Sequence, residues 1–221
     1  MSRALASLAI ALVLLCAREA QSIDAPRPGT GGVPPASAPG NPEQPSAPDF
    51  RNLRGEWLRA GPGFACRVAT AKPIPREAVD PDALARACLH MGPFVIGGDV
   101  GTVRSALGAP HRTLPQDRGA KALIYFLVRA GQFPYLIVTI ADDRIAALQV
   151  TGPTAAKDYS FNHIDLGVTT ATLVERLGPP KRMQPSSEKD TELWSYSPWP
   201  FSFEVKDDRI TSIRIADPKR F

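Results

Sequence analysis

The sequence has few of the residues that build metal centres: three Cys and three His in 221 residues, and they are scattered. This spacing excludes a Cys/His zinc module. Basic residues number 26 and acidic residues 22, with no Lys/Arg run, which argues against a dedicated nucleic-acid binder. GxSxG, P-loop, HExxH, EF-hand and GxGxxG motifs are all absent. We therefore predict no catalytic residue, no cofactor and no metal.

The apolar run at the N-terminus, Ala4–Leu15, is also short. It has 12 residues, whereas a membrane-spanning helix needs about 20. Arg3 precedes it, and small residues Ala20 and Ser22 follow at the spacing of a cleavage site. These features predict a signal peptide over residues 1–22, and hence a periplasmic or secreted protein.

Cys16 directly follows the apolar run. A lipidated cysteine normally follows a small residue, and here it follows Leu15. Two interpretations stay open: Cys16 belongs to the apolar region of the signal, or it carries the lipid anchor of an outer-membrane lipoprotein.

Proline is the residue in excess, and residues 23–49 hold 8 of the 23 prolines together with 4 glycines. The segment has no apolar periodicity, so we predict a disordered linker. PxxP spacings occur within it, and an exported chain gives no reason to assign them a ligand role. After cleavage two cysteines remain, and an oxidising compartment predicts the disulfide Cys66–Cys88, with a reactive thiol as the alternative.

The second half of the chain contains an internal repeat. Residues 96–112 align without gaps on residues 166–182, and the Asp-Asp-Arg-Ile sequence at 142–145 recurs at 207–210. Each copy has an N-cap (Asp99 or Thr169), a short helix and a terminating Leu-Gly-x-Pro. Three strands are predicted after each helix: 121–129, 135–141 and 144–151, then 191–197, 201–206 and 209–216, with each Asp-Asp pair in the last hairpin turn of its copy. The predicted fold class is α+β, as two tandem helix-then-antiparallel-meander units.

The repeat resembles the SmpA/OmlA (BamE) domain family. The resemblance rests on Phe161–Thr169, Leu173, Leu177–Pro180, Trp194–Tyr196 and Asp207–Ile210, and covers about residues 90–217. The tandem arrangement is similar to that of the β-lactamase inhibitory protein. The resemblance implies protein–protein binding in the cell envelope and no catalysis.

Alternation along the predicted strands assigns one sheet face to the helices and the other to the surroundings. In the second copy this other face is polar. In the first copy it is apolar, and we predict that it comprises Leu123, Tyr125, Leu127, Tyr135, Ile137, Ile145 and Ala147. Three alternatives remain for what covers this apolar face: residues 50–90, a partner protein, or edge pairing between the two sheets. Among loop residues Trp199, between two prolines, is the best candidate for an exposed anchor.

The predicted domains are a signal peptide, a linker, a covering segment with Cys66–Cys88 and two repeat units, at residues 1–22, 23–49, 50–90, 91–153 and 154–221. The predicted function is a non-catalytic scaffold or assembly factor of the bacterial envelope that binds another envelope or secreted protein. Candidate partner-binding residues are Tyr125, Leu127, Tyr135, Ile137 and Trp199. Two alternatives remain: a protein inhibitor of a secreted or periplasmic enzyme, and a small-ligand receptor or hydrolase that uses a groove between the two sheets.

Overall fold

The computed structural model describes residues 53–70, 79–129 and 131–220. The predicted signal peptide, Cys16 and the linker at 23–49 lie outside these residues. Within the described ranges, no helix combines the length and the apolar character needed to cross a membrane.

A hairpin and a short helix form the N-terminal part of the described chain. β1 (Gly55–Ala60) pairs antiparallel with β2 (Gly63–Val68), and α1 spans Pro81–Ala87. Asp80 caps α1 by accepting a hydrogen bond from the Asp82 amide at 2.9 Å. The predicted disulfide is confirmed: Cys66 on β2 is bonded to Cys88 at the end of α1, with 5.8 Å between their Cα atoms. It ties the hairpin to the helix.

The rest of the chain is mainly β structure with two further short helices. In chain order these elements are β3 (His90–Met91), β4 (Phe94–Val95), α2 (Val100–Leu107), β5 (Arg112–Pro115), a 3-10 turn (Asp117–Gly119), β6 (Lys121–Phe126), β7 (Tyr135–Ala141), β8 (Arg144–Thr151), α3 (Thr170–Leu177), β9 (Arg182–Pro185), β10 (Glu192–Ser195), β11 (Phe201–Lys206) and β12 (Arg209–Ala216). Eight of the strands form one antiparallel sheet, in the order β5-β6-β7-β8-β12-β11-β10-β9.

The predicted fold class, two tandem helix-then-meander units, is wrong. β8 pairs with β12 from Ser212 opposite Thr151 to Ala216 opposite Ala147, so both strands that were expected to end separate sheets lie in the middle of one. One hydrophobic core then runs across the whole sheet. The pairing satisfies backbone groups that two separate sheets would leave exposed at their edges.

Several local predictions are confirmed. Asp99 and Thr169 cap α2 and α3 through their side chains, and each helix ends at a glycine with positive φ, Gly108 at 75° and Gly178 at 76°. The six predicted strands correspond to β6–β8 and β10–β12, with the ends shifted in β6 and β10. The Asp-Asp pairs at 142–143 and 207–208 form the tight turns of the β7–β8 and β11–β12 hairpins, and all four have positive φ.

The core lies on the face of the sheet that carries the N-terminal hairpin. Trp57 of β1 packs against Phe201, with 6.0 Å between ring centroids, and Phe64 of β2 packs edge-on against Phe201 at 5.3 Å. Asn162 holds β1 in place, because its side chain accepts from the Trp57 amide at 2.7 Å and donates to the Trp57 carbonyl at 3.0 Å. In the described residues, the covering segment is therefore part of the core layer.

Candidate protein-binding face

The face of the sheet opposite the core carries apolar side chains on β6 and β7. Ile124 is directly opposite Ile137, and Phe126 is directly opposite Tyr135. Residues opposite each other point to the same side of a sheet, so these four side chains form one cluster. All four are half-buried, whereas their sequence neighbours Tyr125 and Leu136 are fully buried in the core. We name Ile124, Phe126, Tyr135 and Ile137 the open apolar patch.

This register corrects part of the sequence-based assignment. Leu123, Tyr125 and Ile145 are buried core residues, and Leu127 packs against the core, so none of them belongs to the open face. Ile124 and Phe126 lie on that face in place of Tyr125 and Leu127. For Tyr135 and Ile137 the predicted face is confirmed.

The error has a physical cause in one loop. Five residues (116–120) separate β5 from β6, whereas six (186–191) separate β9 from β10. The gapless repeat alignment therefore slips by one residue at the strand that follows. Since side chains alternate with period 2, a slip of one residue exchanges the two faces of that strand. The 3-10 turn at Asp117–Gly119, which the sequence reading missed, makes the shorter connection.

Aromatic rings extend the open apolar patch along one end of β6 and β7. The centroid of the His111 ring lies 4.7 Å from that of Phe126, with the two rings tilted by 41°, and the His111 Nδ1 accepts a hydrogen bond from the Phe126 amide at 3.3 Å. The ring of Phe133 lies 5.4 Å from Tyr135, and Phe133 is 50% exposed. The two ring pairs lie at the same end of the face, because Phe126 is directly opposite Tyr135, and we name these four residues the aromatic row.

The other half of the same face is polar. Ser202 and Arg214 lie opposite each other there. At the boundary between the halves, Gln149 donates a hydrogen bond to Ser212 at 2.9 Å, and the Thr151 and Ser212 hydroxyls are 3.1 Å apart. The prediction of a polar face in the second copy is confirmed for Ser202, Ser212 and Arg214.

A groove of about 700 Å³ runs along the open face beside Ile124 and Ile137. Its charged lining has four cationic side chains and two carboxylates: Arg118, Arg214, Lys219, Arg220, Asp117 and Asp142. Arg220 donates to Asp142 at 2.9 Å, and burial lowers the pKa of Arg214. Lys219 pairs with Asp82, and Arg220 pairs with Asp142 and Asp217, so much of the charge at this groove is already paired within the chain.

Trp199 is not the exposed anchor that the sequence predicted. Its ring is half-buried and packs edge-on against Phe64, with 5.0 Å between centroids. The ammonium of Lys181 lies 5.8 Å from the same ring. Trp199 therefore helps to fix the N-terminal hairpin to the sheet.

The titratable side chains outside this face pair with structural neighbours. His90 Nε2 lies 3.1 Å from the Gly55 carbonyl, and burial lowers the pKa of His90. His163 Nε2 is 3.7 Å from Glu56, whose pKa is held below its usual value by a hydrogen bond from Arg67. Across the described ranges, no three His, Cys, Asp or Glu side chains are grouped as metal ligands. The groove between two sheets that a receptor or hydrolase would use has no counterpart, because these strands form one sheet.

Comparison with known proteins finds no matching family model and no matching curated protein. Similar solved structures include the DUF4309 family protein YjgB from Bacillus subtilis, with 22% identity and a TM-score of 0.38 over 54% of this chain and 78% of that one. An extracellular protein containing a SCP domain from Bacillus anthracis has 11% identity and a TM-score of 0.39, over 56% of this chain and 45% of that one. A cysteine-rich secretory protein from Staphylococcus aureus has 17% identity and a TM-score of 0.38, over 55% and 44%.

These likenesses are partial, and the matched region spans less than half of the second and third proteins. With TM-scores below 0.5 they establish neither the fold nor the function of this chain. The Cys66–Cys88 disulfide is compatible with a secreted protein, because disulfides persist in oxidising compartments.

Proposed function

We propose that this protein is an exported, non-catalytic binding protein of the bacterial cell envelope, and that it binds another envelope protein through the open face of its sheet. The observation that carries the proposal is the open apolar patch. Four large apolar side chains lie together on the face opposite the core, and they are only half-buried. Contiguous apolar surface of this kind marks interaction sites on soluble proteins.

The chemistry of the surface defines the partner. Apolar side chains of the partner would contact Ile124 and Ile137, where burial from water supplies the binding energy. The expected partner is therefore a protein that presents an apolar patch of its own.

The edges of the sheet are less suited to binding. Both edge strands, β5 (Arg112–Pro115) and β9 (Arg182–Pro185), are four residues long, begin with Arg and end with Pro. Short strands with charge and proline resist the addition of another strand. Binding by the face is thus better supported than binding by strand addition.

Site-specific photocrosslinking in the source cells tests the proposal. A photoreactive amino acid replaces Ile137 on the apolar half, or Ser202 on the polar half of the same face as the matched control. We expect position 137 to crosslink one envelope protein. Position 202 should give only a weak crosslink to that protein, or none. Equal crosslinking from both positions, or none from either, would contradict a binding site at the open apolar patch.

Attachment to the membrane through Cys16 is a separate proposal with its own test. The mass of the intact processed protein distinguishes a chain that begins at Ile23 from one that begins at an acylated Cys16. A chain beginning at Ile23 would place the protein in the periplasm or outside the cell.

A further inference from the structure

A smaller cavity lies beside Arg214, on the polar half of the open face. It has a volume of about 170 Å³ and is bordered by β10, β11, β12 and the loop between β10 and β11. Pockets for drug-sized molecules have volumes of about 300–1,000 Å³, so this cavity fits one small chemical group. We name it the Arg214 cavity.

Hydrogen-bond donors stand in a row across three strands of this cavity. Ser195 on β10 is directly opposite Ser202 on β11, and Ser202 is directly opposite Arg214 on β12. Residues opposite each other point to the same side of the sheet, and adjacent strands are about 4.8 Å apart. Ser197 adds a further hydroxyl from the loop. The Ser195 oxygen accepts a hydrogen bond from the Ser197 amide at 3.3 Å, so its own O–H can still donate.

Arg214 brings a positive charge that is partly removed from water. Its side chain is half-buried, and burial lowers its pKa because desolvation disfavours the charged form. An anion in the cavity would offset this cost. A guanidinium has five N–H donors, so Arg214 can bind an anion through two of them and keep a contact within the chain.

Asp217 is the residue at this cavity that would repel an anion. Both of its carboxylate oxygens face the C-terminal segment: Oδ1 accepts a hydrogen bond from the Lys219 amide at 3.0 Å, and Oδ2 lies 3.7 Å from Nε of Arg220. Its negative charge is therefore partly offset. Trp199 and Pro200 supply apolar wall, and a hydrogen bond to an ion is stronger beside such a wall than in water.

We propose that the Arg214 cavity binds a phosphate group. Phosphate presents several oxygens in a tetrahedral arrangement, so three hydroxyls and a guanidinium can donate to different oxygens at once. A carboxylate has two oxygens, which the guanidinium alone would occupy. The phosphate is either the free ion or the head group of a larger molecule. The inference does not depend on the proposed function, because β12 lies two strands away from β7, which carries Ile137.

Titration of the purified protein with inorganic phosphate tests this inference. We expect calorimetry to give a dissociation constant of about 1 mM, since Asp217 opposes the binding. At about tenfold that concentration, the midpoint of thermal unfolding should rise by about 3–6 °C. Phosphate also stabilises proteins by exclusion from their surfaces, so the rise must be compared between the wild type and variants.

Three variants separate binding in the cavity from general effects of charge. Arg214→Gln should weaken phosphate binding at least about tenfold, because the charge-assisted hydrogen bonds are lost. Arg112→Gln removes the same charge from an exposed residue of the same face, four strands away, and should leave the affinity within about twofold. Ser202→Glu keeps Arg214 and places a carboxylate in the cavity, so it should abolish binding even if Arg214→Gln does not fold.

Vesicles of phosphatidylcholine, with and without phosphatidic acid, distinguish the two sources of phosphate. Sedimentation of the protein that requires both phosphatidic acid and Arg214 would identify a head group as the ligand. Binding of inorganic phosphate without such sedimentation would identify the free ion. The inference is overturned if the wild type binds neither probe, if Ser202→Glu binds as the wild type does, or if Arg214→Gln and Arg112→Gln lose equal affinity.

The outcome is separable from that of the proposed function. If neither phosphate probe binds while position 137 still captures an envelope partner, the inference fails and the proposed function stands. If phosphate binds and position 137 captures no partner, the inference stands and the proposed function fails.

Discussion

Two buried tyrosines allow a sharp test of the core, because among the described residues one hydroxyl group has a hydrogen-bond partner and the other has none. The Tyr196 hydroxyl donates a hydrogen bond to the Gly178 carbonyl at 2.9 Å, inside the core. The Tyr125 hydroxyl is buried and has no hydrogen-bond partner among the described residues. Burial raises the pKa of both tyrosines, so both stay protonated at neutral pH.

Replacing each tyrosine with Phe should therefore change stability in opposite directions. Tyr196→Phe loses the hydrogen bond and leaves a buried carbonyl without this donor, which costs about 1–3 kcal/mol. Tyr125→Phe removes a polar group that is desolvated without compensation, and should stabilise the fold by about 1 kcal/mol. Each kcal/mol moves the melting temperature of a domain of this size by about 2–4 °C.

Urea unfolding of the wild type and both variants measures the two effects. The midpoints should move to opposite sides of the wild-type value, with the slope unchanged. Tyr125→Phe should also bind the partner like the wild type, since Tyr125 lies in the core. If Tyr125→Phe destabilises the protein as much as Tyr196→Phe, the assignment of an unsatisfied hydroxyl at Tyr125 is wrong.

Three further predictions follow from single features. Replacing Cys66 and Cys88 together with Ala should lower the free energy of unfolding by about 3 kcal/mol, because the bond closes a loop of 22 residues; a loss below about 1 kcal/mol in urea titration would refute this. Burial lowers the pKa of His90, so the native state binds fewer protons than the unfolded state as the pH falls below 6.5. The protein should therefore lose stability as the pH falls from 6.5 through the lowered native pKa of His90. His90→Gln should flatten that slope, and an unchanged slope would contradict the account. Ile137→Asp should leave the protein folded whereas Val138→Asp should unfold it, because the two neighbours point to opposite faces; circular dichroism of both variants decides.

The sequence predicts the local structure well where a single residue determines the backbone. The N-caps Asp99 and Thr169 and the paired aspartates of two hairpin turns have short-range physical signatures, and each is found in the structure. The Cys66–Cys88 bond was predicted from the two cysteines that would remain after cleavage of the predicted signal peptide.

Long-range features were not accessible in the same way. The pairing of β8 with β12 joins strands about 60 residues apart, and edge pairing has no local residue signature, so the sequence suggested separate units. The short strands β5 and β9 were also missed, because four exposed residues carry no apolar alternation.

The candidate site was predicted only in part, for the same kind of reason. Tyr135 and Ile137 were placed on the correct face because β7 alternates without interruption as far as Thr139. Tyr125 was placed on the wrong face because the gapless alignment of the two copies ends at residues 112 and 182. The loops whose lengths differ by one residue come after these positions.

The most direct test of the central claim is the affinity of the crosslinked partner for two variants of the open face. Calorimetry with purified proteins would compare Ile137→Glu with Ser202→Glu, after thermal unfolding has shown that both are folded. We expect Ile137→Glu to weaken binding by about 2 kcal/mol, or about thirtyfold, because a carboxylate would be desolvated in an apolar contact. Ser202→Glu should stay within about threefold of the wild type. Equal losses for the two variants, or no loss for Ile137→Glu, would contradict the assignment of binding to the open apolar patch.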